Sequence, residues 1–351
     1  MAEMAAHNGD SAGASRIVAL ALASDSTSEV AEYLRWRVLV AKGDTNALSE
    51  HHLDVNRWPA QSLFTGLIVV VHDQLPITEA WPLMAVADRR DGTREEREYS
   101  SYYHWAVGLN AGRPQEALQG LKRDPNLQEH PRANHETILL QAAFWDGDSA
   151  AAAAAARDLT TSGLVRGTAG VEEFARLCAL EQWNLARGDL ESVARTLTIL
   201  AHADSGRGES EAGSVAAFCS RMLDAWQATL HHMPDAGRKV ASLDSASRTL
   251  PPDWLVHFQH ANLLLSRLYE AKGDLASALE TVRRRHYGLG VPLYLSSYLR
   301  EEGRLAALTG DRTGAIAAYR HYLALRQDPE PALRPQVDQV RRELAKLLAE
   351  R

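Results

Sequence analysis

Cysteine is nearly absent: two residues in 351, Cys178 and Cys219. They stand 41 positions apart and form no CxxC pair, so neither a zinc site nor a disulfide framework is expected to organise the chain. Both lie in apolar surroundings, where buried free thiols are the expectation. Long apolar runs are missing too. The longest is Leu67-Ile68-Val69-Val70-Val71, closed by His72-Asp73, far short of the roughly 20 residues of a membrane-spanning helix. Residues 1–15, MAEMAAHNGDSAGAS, have no basic start followed by an apolar core, so they are no secretory leader. The expectation is a cytoplasmic protein with no membrane partner. Lysine is scarce, five residues among 38 basic ones, and the net charge is −7. That balance weighs against nucleic acid as a partner.

Catalytic signatures are missing as well. There is no GxxxxGK[ST] loop, no GxGxxG after a strand, no HRD or DFG element and no HExxH. His135-Glu136 begins like the last of these, but Leu139 stands where the second histidine belongs. Gly208-Glu209-Ser210-Glu211-Ala212 lacks the final glycine of a nucleophile elbow and the strand that would support one. His257 and His260 lie three apart on one predicted helix face with no third ligand in view. No catalytic residue, metal site or cofactor is expected, and the reading is not an enzyme. Trp36, Trp105, Trp183 and Trp226 fall in the middle of first helices of hairpins, which suits an inter-helix core better than a ligand cage.

What is present is a repeat. Leu265 to Arg285, LSRLYEAKGDLASALETVRRR, reads as two short helices joined at Gly273-Asp274. The same corner recurs at Gly9-Asp10, Gly43-Asp44, Gly147-Asp148, Gly188-Asp189 and Gly310-Asp311, with spacings of 34 between the first two and 37 between the last two. A period of that size marks stacked helical hairpins. Residues 1–25 supply only the second half of a hairpin, with Ala14, Val18 and Ala21 on one face. Either these residues cap the array or the chain is cut from a longer protein, and the second is favoured because terminal repeats normally carry a polar outer face. Residues 26–327 supply about eight hairpins, and residues 332–351 a charged amphipathic capping helix. The hairpin at Pro76 lacks the Gly-Asp corner, and Pro76 both ends one helix and opens the next. Asp88 to Glu98 is a solvated, charge-dense connection leading into a helix. Ala150 to Ala156 is a strong helix former that permits close packing. Gly163 to Gly170 reads as a flexible joint, and Asp204 to Gly213, DSGRGESEAG, as the clearest loop. No stretch reads as a strand, so the fold class is an all-α solenoid of antiparallel helix hairpins.

These residues resemble tetratricopeptide repeats. Leu265, Tyr269, Gly273, Asp274 and Ala278 match that family's pattern, as do Gly310, Asp311, Ala315 and Tyr319, with Pro329 near the repeat end. Gly9, Ala14, Val18 and Ala21 match its second half. Ser266 and Gly303 match the small position loosely, and the hairpins around Pro76 and Pro234 depart from the pattern. The resemblance implies a right-handed superhelix and a non-catalytic scaffold that binds a peptide or protein segment in a concave groove. Carried over position by position, the groove would be lined by Tyr33, Arg37, Tyr99, Tyr102, Asn134, Gln141, Gln182, His260, Arg267, Arg300 and Arg304. Arg300 and Arg304, one helical turn apart, would suit an acidic partner or a free carboxylate, or else pair with Glu301, Glu302 or the capping helix. A second likeness, over Tyr298 to Leu344, is to the repeat tails of bacterial serine/threonine kinases and transcriptional regulators. It implies an alternative: a regulatory region whose effector domain lies outside this chain.

Overall fold

The computed structural model describes residues 29–51, 53–72, 75–89, 93–117, 152–157, 170–207, 211–251, 255–285 and 291–349, with isolated positions before residue 29. The leading half hairpin, the corner at Gly147-Asp148 and nearly all of the Gly163 to Gly170 joint lie outside the described residues.

Fifteen α-helices within the described residues are numbered: α1 (Glu29–Ala41), α2 (Ala47–Glu50), α3 (Ala60–His72), α4 (Ala80–Arg89), α5 (Arg94–Ala111), α6 (Val171–Ala186), α7 (Leu190–Arg207), α8 (Glu211–Leu230), α9 (Ala236–Ser247), α10 (Leu255–Phe258), α11 (Ala261–Ala271), α12 (Leu275–Arg283), α13 (Leu295–Leu308), α14 (Arg312–Leu325) and α15 (Arg334–Ala349). Among the described residues no strand occurs. Packing is mainly between near neighbours in sequence, α3 on α4 and α5, α6 on α7 and α8, α8 on α9, α11 on α12 and α12 on α13, while α8 also meets α11 across α9 and α10. This is the contact pattern of stacked hairpins.

The corner residues explain the repeat. Gly43, Gly112, Gly188, Gly273 and Gly310 all adopt φ between 76° and 87°, a left-handed conformation that glycine enters without steric cost. The following N–H then reaches back five residues to an orphan helix carbonyl: Asp44 to Leu39 (3.1 Å), Arg113 to Gly108 (2.8 Å), Asp189 to Asn184 (2.9 Å), Asp274 to Tyr269 (3.0 Å) and Asp311 to Ala306 (2.8 Å). That bond closes a Schellman cap. The aspartate also starts the next helix. The carboxylates of Asp189, Asp274 and Asp311 accept from the backbone N–H of Ser192 (3.2 Å), Ser277 (3.0 Å) and Gly314 (3.0 Å).

The chain divides into two compact units, residues 1–120 with 320–330, and residues 121–319 with 331–351. In the first unit Tyr33, Trp36 and Trp58 form one aromatic cluster, with the Tyr33 and Trp58 rings edge to face at 5.3 Å. Residues 320–330 pack in this unit. Buried His321 bonds through Nε2 with the carbonyl of Val71 (2.7 Å), and the Glu330 N–H donates to the carbonyl of Gly112 (2.9 Å). Contact over 250 positions goes beyond the neighbour-only pattern of an open stack.

The second unit has a core of α6, α8 and α11 side chains. At its C-terminal end Ala278 and Ala315 are fully buried, and a Cβ on Gly303 would overlap the ring of Tyr319. The loosely matched small position is therefore enforced by close approach.

Three sequence expectations change. Cys178 and Cys219 are bonded to each other, with Cα atoms 5.6 Å apart, and are not free thiols. They sit on α6 and α8, first helices of successive hairpins, so tertiary packing brings them within bonding range. The loop expected over Asp204 to Gly213 is mostly helix, because α7 runs to Arg207 and α8 begins at Glu211. The one helix face expected to carry His257 and His260 is broken after Phe258. There the Gln259 carbonyl accepts from the Tyr298 hydroxyl (2.6 Å) in place of a helical N–H. His257 and His260 are thus on separate segments, and among the described residues no cluster of side chains suited to a metal ion is present.

Candidate binding cleft

A cavity of about 200 Å³ opens in the first unit. It is lined by Trp81, Met84, Ala85 and Asp88 of α4, His104 and Gly108 of α5, and Arg113, Glu116 and Ala117 beyond the Gly112 corner. Local sequence builds each wall. Pro82 sits in the first turn of α4, where a missing N–H costs nothing, and Trp81 is left half-exposed beside it. Helix α5 starts at a capping box in which the Thr93 hydroxyl accepts from the Glu96 N–H (3.2 Å) and Glu96 accepts from the Thr93 N–H (2.7 Å). This places Ser100 and His104 one turn apart on α5, both reaching Asp88.

His104 Nε2 lies 2.7 and 2.9 Å from the two oxygens of Asp88, and the Ser100 hydroxyl donates to the same carboxylate at 3.1 Å. Burial pushes the Asp88 carboxyl up, but the hydrogen bond and charge of His104, with the Ser100 bond, outweigh it and hold the group below its ordinary range. The serine bonds the aspartate and not the histidine. This geometry differs from the nucleophile–base bond that activates a serine.

Arg113, also in the lining, stacks over the Trp81 ring, 5.3 Å from its centroid. Its guanidinium reaches Glu116 (3.0 Å) and Asp328 (2.5 Å), and its Nε donates to the Asp328 carbonyl (3.1 Å). Glu330 completes the corner, accepting from the N–H groups of Gln115 (2.8 Å) and Glu116 (3.0 Å). The cleft thus has an apolar floor and a rim whose charged groups are already oriented by partners.

Of the residues carried over from the family pattern, three are buried within their own unit. Tyr33 is 5% exposed within the aromatic cluster, so its ring serves the core. Gln182 and His260 are also buried. Gln182 donates to the Cys178 carbonyl (3.3 Å), and its Oε1 meets His260 Nε2 at 3.2 Å. Burial drives the His260 pKa down to about 3, so it stays neutral. Arg37 is half-buried. Tyr102 is too, edge-on to Tyr103 at 5.7 Å. Asn134, Gln141 and the side chain of Tyr99 lie outside the described residues.

Arg267, Arg300 and Arg304 do share the α11–α13 region of the second unit. Arg304 is bound through both ends of its guanidinium to Glu270 (2.7 and 2.5 Å) and also to Glu301 (2.8 Å), and Arg267 lies 3.9 Å from Glu301. The hydrogen bond to Glu270 is the largest influence holding Arg304 above its ordinary pKa. The fork expected to receive a partner carboxylate is therefore filled by the chain's own carboxylates. Sequence reasoning passed over Trp81 and His104, and treated Asp88 as part of a solvated run. The one available signal was Ser100 and His104 at helical spacing after that run.

No protein-family model matches this chain, and no curated protein matches it. Among solved structures it is similar to a crystal structure of the P58(IPK) TPR domain, with 13% identity over 100% of this chain and 98% of that one and a TM-score of 0.27. The all-α hairpin fold stands on the helix pairing and corner geometry described above. Among the described residues no helix is long and apolar enough to cross a membrane.

Proposed function

We propose that this chain is a non-catalytic scaffold that holds a segment of another protein. The observation that carries the reading is the α4–α5 cleft. Its floor is apolar and its rim is pre-paired, the combination that lets a site accept a side chain without reorganising. Stacked hairpins supply the rigid surround such a site needs. The Ser100–Asp88–His104 arrangement orients side chains and lacks an activated nucleophile, which fits a binding role.

The test is capture from host lysate with the immobilised wild-type chain, followed by cross-linking mass spectrometry. A partner cross-linked beside the cleft supports the reading. Recovery of nothing above a denatured-chain control overturns it. The regulatory-region alternative has the likeness of Tyr298 to Leu344 as its support, and genomic sequence upstream of this chain tests it.

A further inference from the structure

The rim of the cleft carries a charge pattern opposite to that expected for an acidic partner. Its ionic side chains are Asp88, Glu116 and Arg113, together with His104. Arg113 offers little to an incoming anion, because its fork already holds Glu116 and Asp328. Asp328 adds a further carboxylate beside Arg113. Whatever the charge on His104, the carboxylates here outnumber or equal the cations.

Both lining carboxylates reach solvent. The Asp88 side chain is 47% exposed and that of Glu116 is 67% exposed. An ionised carboxylate has about four acceptor positions, so the one N–H of His104 Nε2, shared between both oxygens, and the Ser100 hydroxyl leave Asp88 room for another donor. The same cleft is lined by the aliphatic surfaces of Met84, Ala85 and Ala117 and by the Trp81 indole. Arginine and lysine have this shape in reverse, an apolar stem with a cationic head. The Arg113–Trp81 stack shows that a guanidinium sits well against this indole.

We propose that the cleft is a socket for an arginine or lysine side chain of a basic partner segment, with Asp88 and Glu116 receiving the cationic head. This rests on the scaffold reading and specifies its partner. Multiple basic residues in the segment would also be drawn by the net charge of −7.

The experiment is fluorescence anisotropy at physiological salt with two labelled peptides, one of alternating alanine and arginine and one of alternating alanine and glutamate. Wild type is compared with Asp88→Asn, Glu116→Gln and, as a carboxylate of the second unit, Asp338→Asn, each checked for unchanged helicity and melting. The expected result is binding of the arginine peptide only, weakened about ten-fold by Asp88→Asn or Glu116→Gln, as loss of one ionic contact predicts, and unaltered by Asp338→Asn. Equal weakening by Asp338→Asn would mean diffuse attraction and overturn the socket. So would binding of the glutamate peptide in preference, or no binding of either. In those cases the lysate capture still decides the scaffold reading, because its readout is a cross-linked partner and does not depend on basic sequence.

Discussion

Arg304 of α13 holds Glu270 of α11, 34 positions earlier, through two parallel hydrogen bonds of 2.7 and 2.5 Å. The same guanidinium touches buried Glu301 at 2.8 Å. One side chain thereby ties successive first helices, and it does so with the donors that an acidic ligand would have required.

Removing that side chain leaves Glu301 buried beside one fewer cation. Arg304→Ala should destabilise the fold by about 1.5–3 kcal/mol, the range for hydrogen bonds to charged groups, measured by urea unfolding. Arg304 also holds the Glu270 carboxyl below its ordinary value of 4.5, the hydrogen bond being the largest cause. A depressed carboxylate contributes stability that is complete above the unfolded pKa and lost as pH falls through the folded one. Wild type should therefore lose stability below about pH 4.5, and Arg304→Ala should lose less over the same interval.

His260 adds an earlier acid sensitivity. Its pKa falls from 6.5 to about 3 on burial. Between those values the unfolded state binds the proton and the folded state does not, so stability must decline as pH is lowered through that window. His260→Gln removes the titration. Its unfolding free energy should change less between pH 6.5 and 4 than that of wild type, and an unchanged slope would place His260 outside the core.

Gly303 and Gly273 separate two kinds of glycine requirement. Alanine at Gly303 meets the Tyr319 ring and should cost about 1–3 kcal/mol through overpacking. Alanine at Gly273 has open space but must adopt φ of 80°, at a cost of about 1–2 kcal/mol. Shortening Tyr319 to leucine should rescue part of the first loss and none of the second, read as a double-mutant cycle by thermal unfolding.

The Cys178–Cys219 bond encloses 41 positions including all of α7. Cross-links of this size stabilise by about 2–4 kcal/mol. Cys178→Ser with Cys219→Ser should lower the melting temperature, and a reductant should then have no further effect. Intact mass of the wild-type protein, purified with thiols blocked, should show no alkylated cysteine. Persistent disulfides belong to oxidising compartments, so this measurement also bears on the expected cytoplasmic location.

Glu330 covers two backbone donors at the corner after Gly112, those of Gln115 and Glu116. Glu330→Ala should speed amide exchange at these two positions by about ten-fold, the equivalent of one net hydrogen bond. Protection on α3 should stay as in wild type. Loss of protection throughout the unit would show that residues 320–330 hold more than this corner.

The helices and corners were legible in the sequence because their causes are local. A glycine that turns left-handed, an aspartate that caps the next helix and an apolar face of helical period all act within a few residues. Hence the corners at Gly43, Gly188, Gly273 and Gly310 were found from spacing alone. The binding surface was not legible, because exposure and pairing depend on partners far along the chain. Nothing near Gln182 or His260 in sequence says that each is buried against the other across 78 positions. Nothing near Arg304 says that its donors are taken by Glu270, nor near Arg113 that Asp328 lies beside it across 215. The sequence alone determined a stack of helical hairpins with left-handed glycine corners. Tertiary packing alone decided which thiols bond, which arginines are occupied and that Asp88 and His104 frame a cleft, since each requires two distant side chains to be brought within a few ångströms.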